Sequence, residues 1–483
     1  MLFNSFDFFV FLPIVFCAYW FILKKHLKSQ NALLLIASYV FYGWWDWRFL
    51  SLIMLSTIVD YFVGLQIFKN EDAKIRKRWL RLSVLFNLGL LGFFKYFNFF
   101  IDSWVDAFNS IGYQMDYYSL SIILPVGISF YTFQTMSYSL DISKRKLEPT
   151  KDFIAFATFV AFFPQLVAGP IERASNLLPQ FFKKRKFDYN IAVDGARQML
   201  WGLFKKIVIA DNCASYVNDV FQNYSDYSSG TLILGVVVFA FQIYADFSGY
   251  TDIAIGVAKL FGFNFKRNFN YPYFSTNISD FWKRWHISLS SWLNDYVFTP
   301  LAIEYRNYKK YGIFLALFLT FLISGLWHGA GWNYIVWGGL HGLFYIPVIF
   351  SKKRFSSISS NKINSKNKST LRDFPKMVLT FAMVCFTYIF FRAINLTEAI
   401  NFNKAIINGL ITNNIFDIKI PDIRIVLFIP CLILIEWVQR EKAYGMDLQK
   451  VNSTVLRWVI YFILISVIII FGAKSQSFIY FQF

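Results

Sequence analysis

Apolar runs, interrupted by short polar clusters, recur along almost the whole chain, and most approach the ~20 residues a helix needs to cross a bilayer. The pattern predicts spanning helices at residues 6–23, 31–48, 50–68, 82–101, 121–141, 191–213, 231–256, 312–328, 332–350, 376–394, 423–438 and 456–473. Two other apolar stretches break the alternation of sides. Residues 152–180 and 270–303 have basic clusters on both flanks and are interrupted by proline and polar groups, so each is expected to enter and return on one side. Irregular backbone at membrane depth persists only where it is buried in protein or lines a cavity. The 270–303 stretch therefore predicts a cavity. The most hydrophilic stretch, 351–376, reads as a cytoplasmic basic loop between a block of residues 1–350 and a last group of helices, 377–483. A second polar connection, 395–422, should face outward. No internal repeat stands out, which weighs against a transporter built from inverted halves.

Composition agrees with this pattern. Hydrophobic residues make up 56% of the chain, aromatic residues 21% and charged residues 16%, against about a quarter charged in soluble domains. The formal charge of +19 raises the question of nucleic acid, but its distribution answers it. Basic residues cluster in short connections at 24–28, 74–81, 144–146, 183–186 and 352–354, while 96–143 and 207–258 contain no Lys or Arg. Lys and Arg beside membrane spans are held on the cytoplasmic side. The charge is a topology signal, and the polar tips at 102–116 and 215–230 should face outward. The first segment has no basic leader or small-residue cleavage site and is read as a retained span with the N-terminus outside. Cys17, Cys213, Cys385 and Cys431 are scattered singly through apolar segments, so no metal knuckle or redox pair is expected.

Chemistry is suggested by the histidines. Three of the four, His286, His328 and His341, fall among tryptophans in apolar segments, where polar groups are expensive. His328 comes near the outward end of the charge-free segment 312–327. It is flanked by Gly325, Gly329 and Gly331, whose missing side chains allow a substrate or another backbone close to the imidazole. Neutral imidazole in a low-dielectric site suits a general base toward a hydroxyl, so His328 is the first catalytic candidate. His286 stands with Trp282, Lys283, Arg284, Trp285 and Trp292 on the stretch expected to form a cavity, where the two cations would attract an anionic donor. The same residues also suit an interfacial amphipathic helix. His341 is expected to be structural, and His26 needs no functional explanation. No H-E-x-x-H or G-x-S-x-G pattern occurs, which argues against a zinc site or a nucleophile elbow. Asp246 and Asp252, with Ser248, lie in an apolar segment. The carboxylates are expected to fix helix packing through donors such as Arg284 or backbone amides.

At these residues the chain resembles the membrane-bound O-acyltransferase (MBOAT) family, in its bacterial polysaccharide-acetylating branch. The matching stretches are 1–9, 41–46, 124–130, Phe163-Pro164-Gln165-Leu166-Val167-Ala168-Gly169-Pro170-Ile171, Asp246-Phe247-Ser248-Gly249-Tyr250, 281–290, Leu326-Trp327-His328-Gly329 and 478–483. The resemblance implies an all-α polytopic membrane protein, an MBOAT-like ring of tilted transmembrane helices with re-entrant segments around a central tunnel. It makes residues 1–350 the catalytic core and 377–483 the helices that complete it. It implies His328 as the key histidine and His286 as the second, with Trp282, Lys283, Arg284, Trp285, Asp295, Trp327 and Asn333 lining the substrate site. No bound cofactor or metal is expected, and acetyl-CoA is the implied acyl donor. The implied partner is a periplasmic esterase-like acetyltransferase acting on a cell-surface polysaccharide, alginate-like or another glycan, at the bacterial inner membrane. The chain departs from the family pattern at Asn294-Asp295 and at 300–304, which bears on donor or partner recognition. The alternatives are a transporter or flippase with a histidine proton relay, and an acyltransferase acting on D-alanyl or lipid substrates.

Overall fold

The computed structural model describes residues 1–114, 120, 122–167, 169–351 and 370–481. Most of the 351–376 loop, the 352–354 basic cluster, the end of the 102–116 tip, residue 121, Ala168 and the last two residues of the 478–483 motif lie outside the described residues. Every regular element among the described residues is helical. Among the described residues seven helices are long and apolar enough to cross a membrane: Trp47–Lys69, Ala73–Ser110, Ser229–Leu260, Arg306–His328, Trp332–Phe350, Leu371–Arg392 and Thr454–Phe471. The protein is an all-α, multi-pass membrane protein. Its outward side chains agree: Trp458, Phe462 and Ile469 of the last of these helices are exposed, and only 6% of that helix is buried in protein. Such surface is stable only against lipid.

Other expected spans form shorter or broken helices. The 31–48 pattern lies mostly in Leu27–Gly43, and the 423–438 pattern forms Ile423–Val438 with Pro430 inside it. The polar connection at 395–422 holds the helix Leu396–Ile411. Its signal is the N-cap: Asn395 accepts from the Glu398 amide at 2.9 Å, and the Glu398 carboxylate accepts from the Ile394 amide, one residue before the cap, at 2.6 Å.

The chain forms two compact units. The first comprises Met1–Met199 and Ile253–Lys266. At its core Asp60, fully buried on the helix Leu50–Lys69, accepts from Ser83 (2.5 Å), Asn87 (2.7 Å) and Ser139 (2.9 Å) on two other helices, Ala73–Leu91 and Ile128–Ser143. Three donors on one carboxylate meet the desolvation cost and fix the three helices in register. In the 152–180 stretch the helix Phe153–Ala161 ends at Phe162, just before Pro164. Its 9 residues are too few to span alone.

The second unit comprises Leu200–Asp252 and Arg267–Phe483. The 270–303 stretch is a chain of short pieces, Ile278–Trp282, Ile287–Leu293, the wide turn Asn294–Phe298 and Thr299–Glu304, none long enough to cross. Helix Lys309–His328 then pairs with Trp332–Phe344 as a tight hairpin. Phe374–Arg392 packs on the second arm through Asn333, whose amide donates to the carbonyls of Phe390 (3.2 Å) and Ala393 (2.9 Å).

Candidate active site

His328 is the last residue of its helix. The chain turns extended at Gly329 and restarts at Trp332 after Gly331, so the imidazole sits at the tip of the hairpin. The neighbouring glycines serve the hairpin more than an incoming substrate. A methyl on Gly325 would collide with the Tyr334 carbonyl, one on Gly329 with the Tyr334 ring, and one on Gly338 with the Phe321 carbonyl. The closeness of the two backbones thus holds the imidazole in place. Around it stand Trp337 (ring centroids 5.0 Å apart), Phe391 (5.3 Å), Tyr480 (5.8 Å) and Trp327 (4.9 Å), and His328 is only 4% exposed.

His286 joins the same cage. It is fully buried, with its ring centroid 6.4 Å from that of His328, 6.1 Å from Trp327, 6.2 Å from Tyr480 and 4.7 Å from Phe247. It sits between two short helices at φ 44°, a left-handed conformation that costs a residue with a Cβ about 1–3 kcal/mol and recurs at functional sites. Its Nδ1 lies 3.2 Å from the side-chain oxygen of Asn268.

His341, the third histidine, has both ring nitrogens engaged. The Trp282 indole donates to its Nδ1 at 3.3 Å, and the Thr387 hydroxyl lies 3.0 Å from its Nε2. An imidazole accepting at Nδ1 carries its proton on Nε2, so His341 donates to Thr387, which passes its own proton to the Val384 carbonyl at 2.8 Å. The structure gives His341 a linking place between segments.

The other candidates separate by environment. Trp282 is tied to His341, and Trp285 stacks on Phe281 among Tyr244, Phe269 and Tyr273. Trp327 touches both cage histidines, while the Asn333 amide is committed to two carbonyls. Lys283, Arg284 and Asp295 are half-buried; Asp295 accepts from the Asn294 side-chain amide at 3.1 Å. Arg284 pairs with Asp280 at 2.9 Å and is not the partner expected for the buried aspartates. Those partners are adjacent lysines on the wide turn Phe204–Ala210. Lys206 lies 2.8 Å from both Asp246 and Asp211, and Lys205 lies 2.6 Å from Asp252 and 2.8 Å from the Ser248 hydroxyl. Among the described residues no three His, Cys, Asp or Glu side chains converge as metal ligands.

Three contributors were not apparent from sequence. Asn268 lies in a loop where asparagine is ordinary. The lysine pair carries a signal in retrospect, since two cations inside an apolar run imply buried carboxylates nearby. Tyr480 is one aromatic of the 478–483 stretch. Its place is set by the tail: Asn212 donates to the Phe471 carbonyl (2.9 Å), Lys206 to that of Gln476 (3.1 Å), and the Ile479 amide to Asp246 (2.7 Å). These bonds bring Tyr480 onto Phe247, with ring centroids 4.4 Å apart, beside the two histidines.

The chain is similar to proteins of a known family. Residues 9–363 match the model of the membrane-bound O-acyltransferase family, MBOAT. The chain is 38% identical over 405 residues to the probable alginate O-acetylase AlgI of Pseudomonas aeruginosa, covering 83% of this chain and 73% of that protein. It is 36% identical over 442 residues to the peptidoglycan O-acetyltransferase of Helicobacter pylori, covering 85% and 81%. Over 285 residues it is 28% identical to the teichoic acid D-alanyltransferase of Bacillus subtilis, covering 56% and 69%. With a family model spanning most of its length and relatives above a third identical over four-fifths of it, the chain belongs to the membrane-bound O-acyltransferase family.

Proposed function

We propose that the protein is an O-acetyltransferase for a cell-surface polysaccharide, taking acetyl from a cytoplasmic thioester and delivering it across the membrane. The observation that carries this reading is the pair of buried imidazoles, 6.4 Å apart between ring centroids in one aromatic cage. The polysaccharide is supported by the named activities of the alginate and peptidoglycan relatives. Acetyl-CoA is the donor in this reading: its thioester is activated for transfer, and its phosphates suit the basic connections assigned to the cytoplasmic side. The membrane is the bacterial inner membrane, with the N-terminus outside.

His328 acts as general base. As the acceptor oxygen attacks the thioester carbonyl, His328 takes the hydroxyl proton. The tetrahedral adduct then expels the thiolate, which receives that proton from the imidazolium. One ester forms, one thioester breaks, and charge and protons balance. The acceptor is the sugar or a serine of an esterase-like partner outside the membrane. His286 holds a substrate group beside His328, and Lys283 and Arg284 favour the anionic donor.

Purified protein in liposomes, given labelled acetyl-CoA, tests the reading. Transfer or thioester hydrolysis should occur and should fall by about 10²–10⁴ in the His328→Ala variant, the usual value of a positioned base. Unchanged activity in a normally inserted His328→Ala protein would overturn the assignment. Transport without acyl transfer would favour the transporter alternative.

A further inference from the structure

Buried polar atoms are nearly always hydrogen-bonded, so one that is not demands a reason. The cage contains such an atom. Nε2 of His286 is buried and has no hydrogen-bond partner among the described residues. The opposite nitrogen, Nδ1, lies 3.2 Å from the Asn268 side-chain oxygen. Which nitrogen carries the proton then follows from a third group. The backbone amide of Ser288, which can only donate, points at the same Asn268 atom from 3.2 Å, and the Ser288 hydroxyl lies 2.9 Å away. That atom must therefore be the carbonyl oxygen of Asn268, because its NH₂ group cannot accept. Facing an acceptor, Nδ1 of His286 must be the donor. In a neutral ring this leaves Nε2 as a bare lone pair.

Asn268 also grips the backbone on which His286 sits. Its main-chain carbonyl accepts from the Ile287 amide at 2.9 Å, and the Asn270 amide donates to the Arg284 carbonyl at 2.9 Å. Loop 268–270 thus brackets the left-handed turn at His286 from both sides. The arrangement has a local cost, since the Asn268 amide nitrogen is itself buried without a partner among the described residues. An aspartate would meet the same three donors without that cost, but would bring a negative charge against the imidazole. Asparagine keeps the pair neutral.

We propose that Asn268 is a positioning residue that fixes His286 as the Nδ1–H tautomer, so that Nε2 accepts a hydrogen bond from a substrate. The assignment rests on the acyl-transfer reading of the cage and sharpens it. A neutral His286 of this form engages a proton-bearing group, the acceptor's hydroxyl or an amide N–H of the thioester's arm. It does not donate from Nε2 to a carbonyl oxygen or an oxyanion.

With four histidines in the chain, ¹⁵N-histidine labelling of the full protein in bilayers is tractable, and His286→Gln assigns the signal. The expected spectrum shows His286 protonated at Nδ1 and unprotonated at Nε2. Asn268→Leu should mix or invert the tautomers and lower transfer on the order of 10–100-fold, by analogy with the loss of a group that orients a metal-bound histidine. Asn268→Asp keeps the acceptor oxygen and should restore the tautomer and at least ~10-fold of the activity lost in the leucine variant. Ser288→Ala, which removes only a hydroxyl, should retain the wild-type tautomer. A rise confined to KM for acetyl-CoA in Asn268→Leu assigns Nε2 to the donor's arm, and a fall confined to kcat assigns it to the acceptor hydroxyl. A proton on Nε2 of His286 in the wild-type protein overturns the tautomer assignment. Full transfer activity in His286→Gln instead overturns the site reading of His286, so the two failures are read separately.

Discussion

At the scale of single residues, the three membrane histidines differ in how many ring nitrogens the protein itself uses. His341 spends both, on Trp282 and Thr387. His286 spends Nδ1 on Asn268 and keeps Nε2. A nitrogen already bonded within the fold is unavailable to a substrate, so the loss of each ring should register in a different observable. His341→Ala leaves the Trp282 indole and the Thr387 hydroxyl short of a partner, at about 1–3 kcal/mol for each buried group affected. It should lower the melting temperature clearly and reduce activity only in step with folded protein. His328→Ala should do the reverse, losing transfer while melting near the wild type, as a thermal shift assay alongside acetyl transfer would show. The histidines were legible in the sequence because imidazole contrasts with an apolar background. Asn268 and Tyr480 lacked that contrast: one is a polar residue in a polar loop, the other an aromatic in a chain that is 21% aromatic.

At the scale of elements, the hairpin of Lys309–His328 and Trp332–Phe344 is held by backbone proximity, and adjacent glycines play unequal parts in it. A Cβ on Gly338 would meet the Phe321 carbonyl well inside van der Waals distance. On Gly339 it would meet only side chains at ordinary distances, Leu322 at 3.5 Å and the Phe318 ring at 3.9 Å. Gly338→Ala should therefore cost about 1–3 kcal/mol as an overpacked site and displace His328, whereas Gly339→Ala should be close to neutral. Melting temperature and transfer rate of the paired variants test this directly. Long apolar helices such as Ser229–Leu260 and Lys309–His328 could be read from sequence because their length leaves one interpretation. Leu396–Ile411 could not, because its polar residues masked a helix whose cap was the better signal. The glycines near His328 carried two readings, substrate access and backbone approach, and only the coordinates of Tyr334 and Phe321 favour the second.

At the scale of the whole molecule, ionic pairing inside the second unit connects distant parts of the chain. Lys206 bridges Asp211 and Asp246, and Asp246 takes the Ile479 amide, so the tail that presents Tyr480 depends on a buried charge cluster. Removing the shared cation Lys206 would leave two buried carboxylates uncompensated, at about 3–5 kcal/mol, whereas removing Asp246 leaves Lys206 paired with Asp211 and takes away the acceptor of the Ile479 amide. Asp246→Ala should release the tail, seen as faster proteolysis after Lys474 and loss of transfer. The double variant Lys206→Met/Asp246→Ala takes away the shared cation as well, leaves the Asp211 carboxylate unpaired, and should melt lower than Asp246→Ala with the tail still loose. The sequence expectation that the aspartates serve packing identified the need for partners. Of the donors it named, a backbone amide does reach Asp246, from Ile479, while Arg284 pairs with Asp280; the lysines adjoining Phe204 had no motif to mark them. The helix leading into this tail, Thr454–Phe471, has a mechanical consequence. Little of it is buried in protein, while its end is pinned through Asn212 to the Phe471 carbonyl and through the Ala473 amide to the Ile207 carbonyl at 3.3 Å. A helix with one largely uncovered face, fixed at its end, tilts with bilayer thickness, and the tilt is taken up at that joint. Transfer rates in liposomes of graded acyl-chain length should therefore pass through an optimum, with Tyr480 displaced on either side of it. Rates independent of lipid length would show that the joint absorbs no strain.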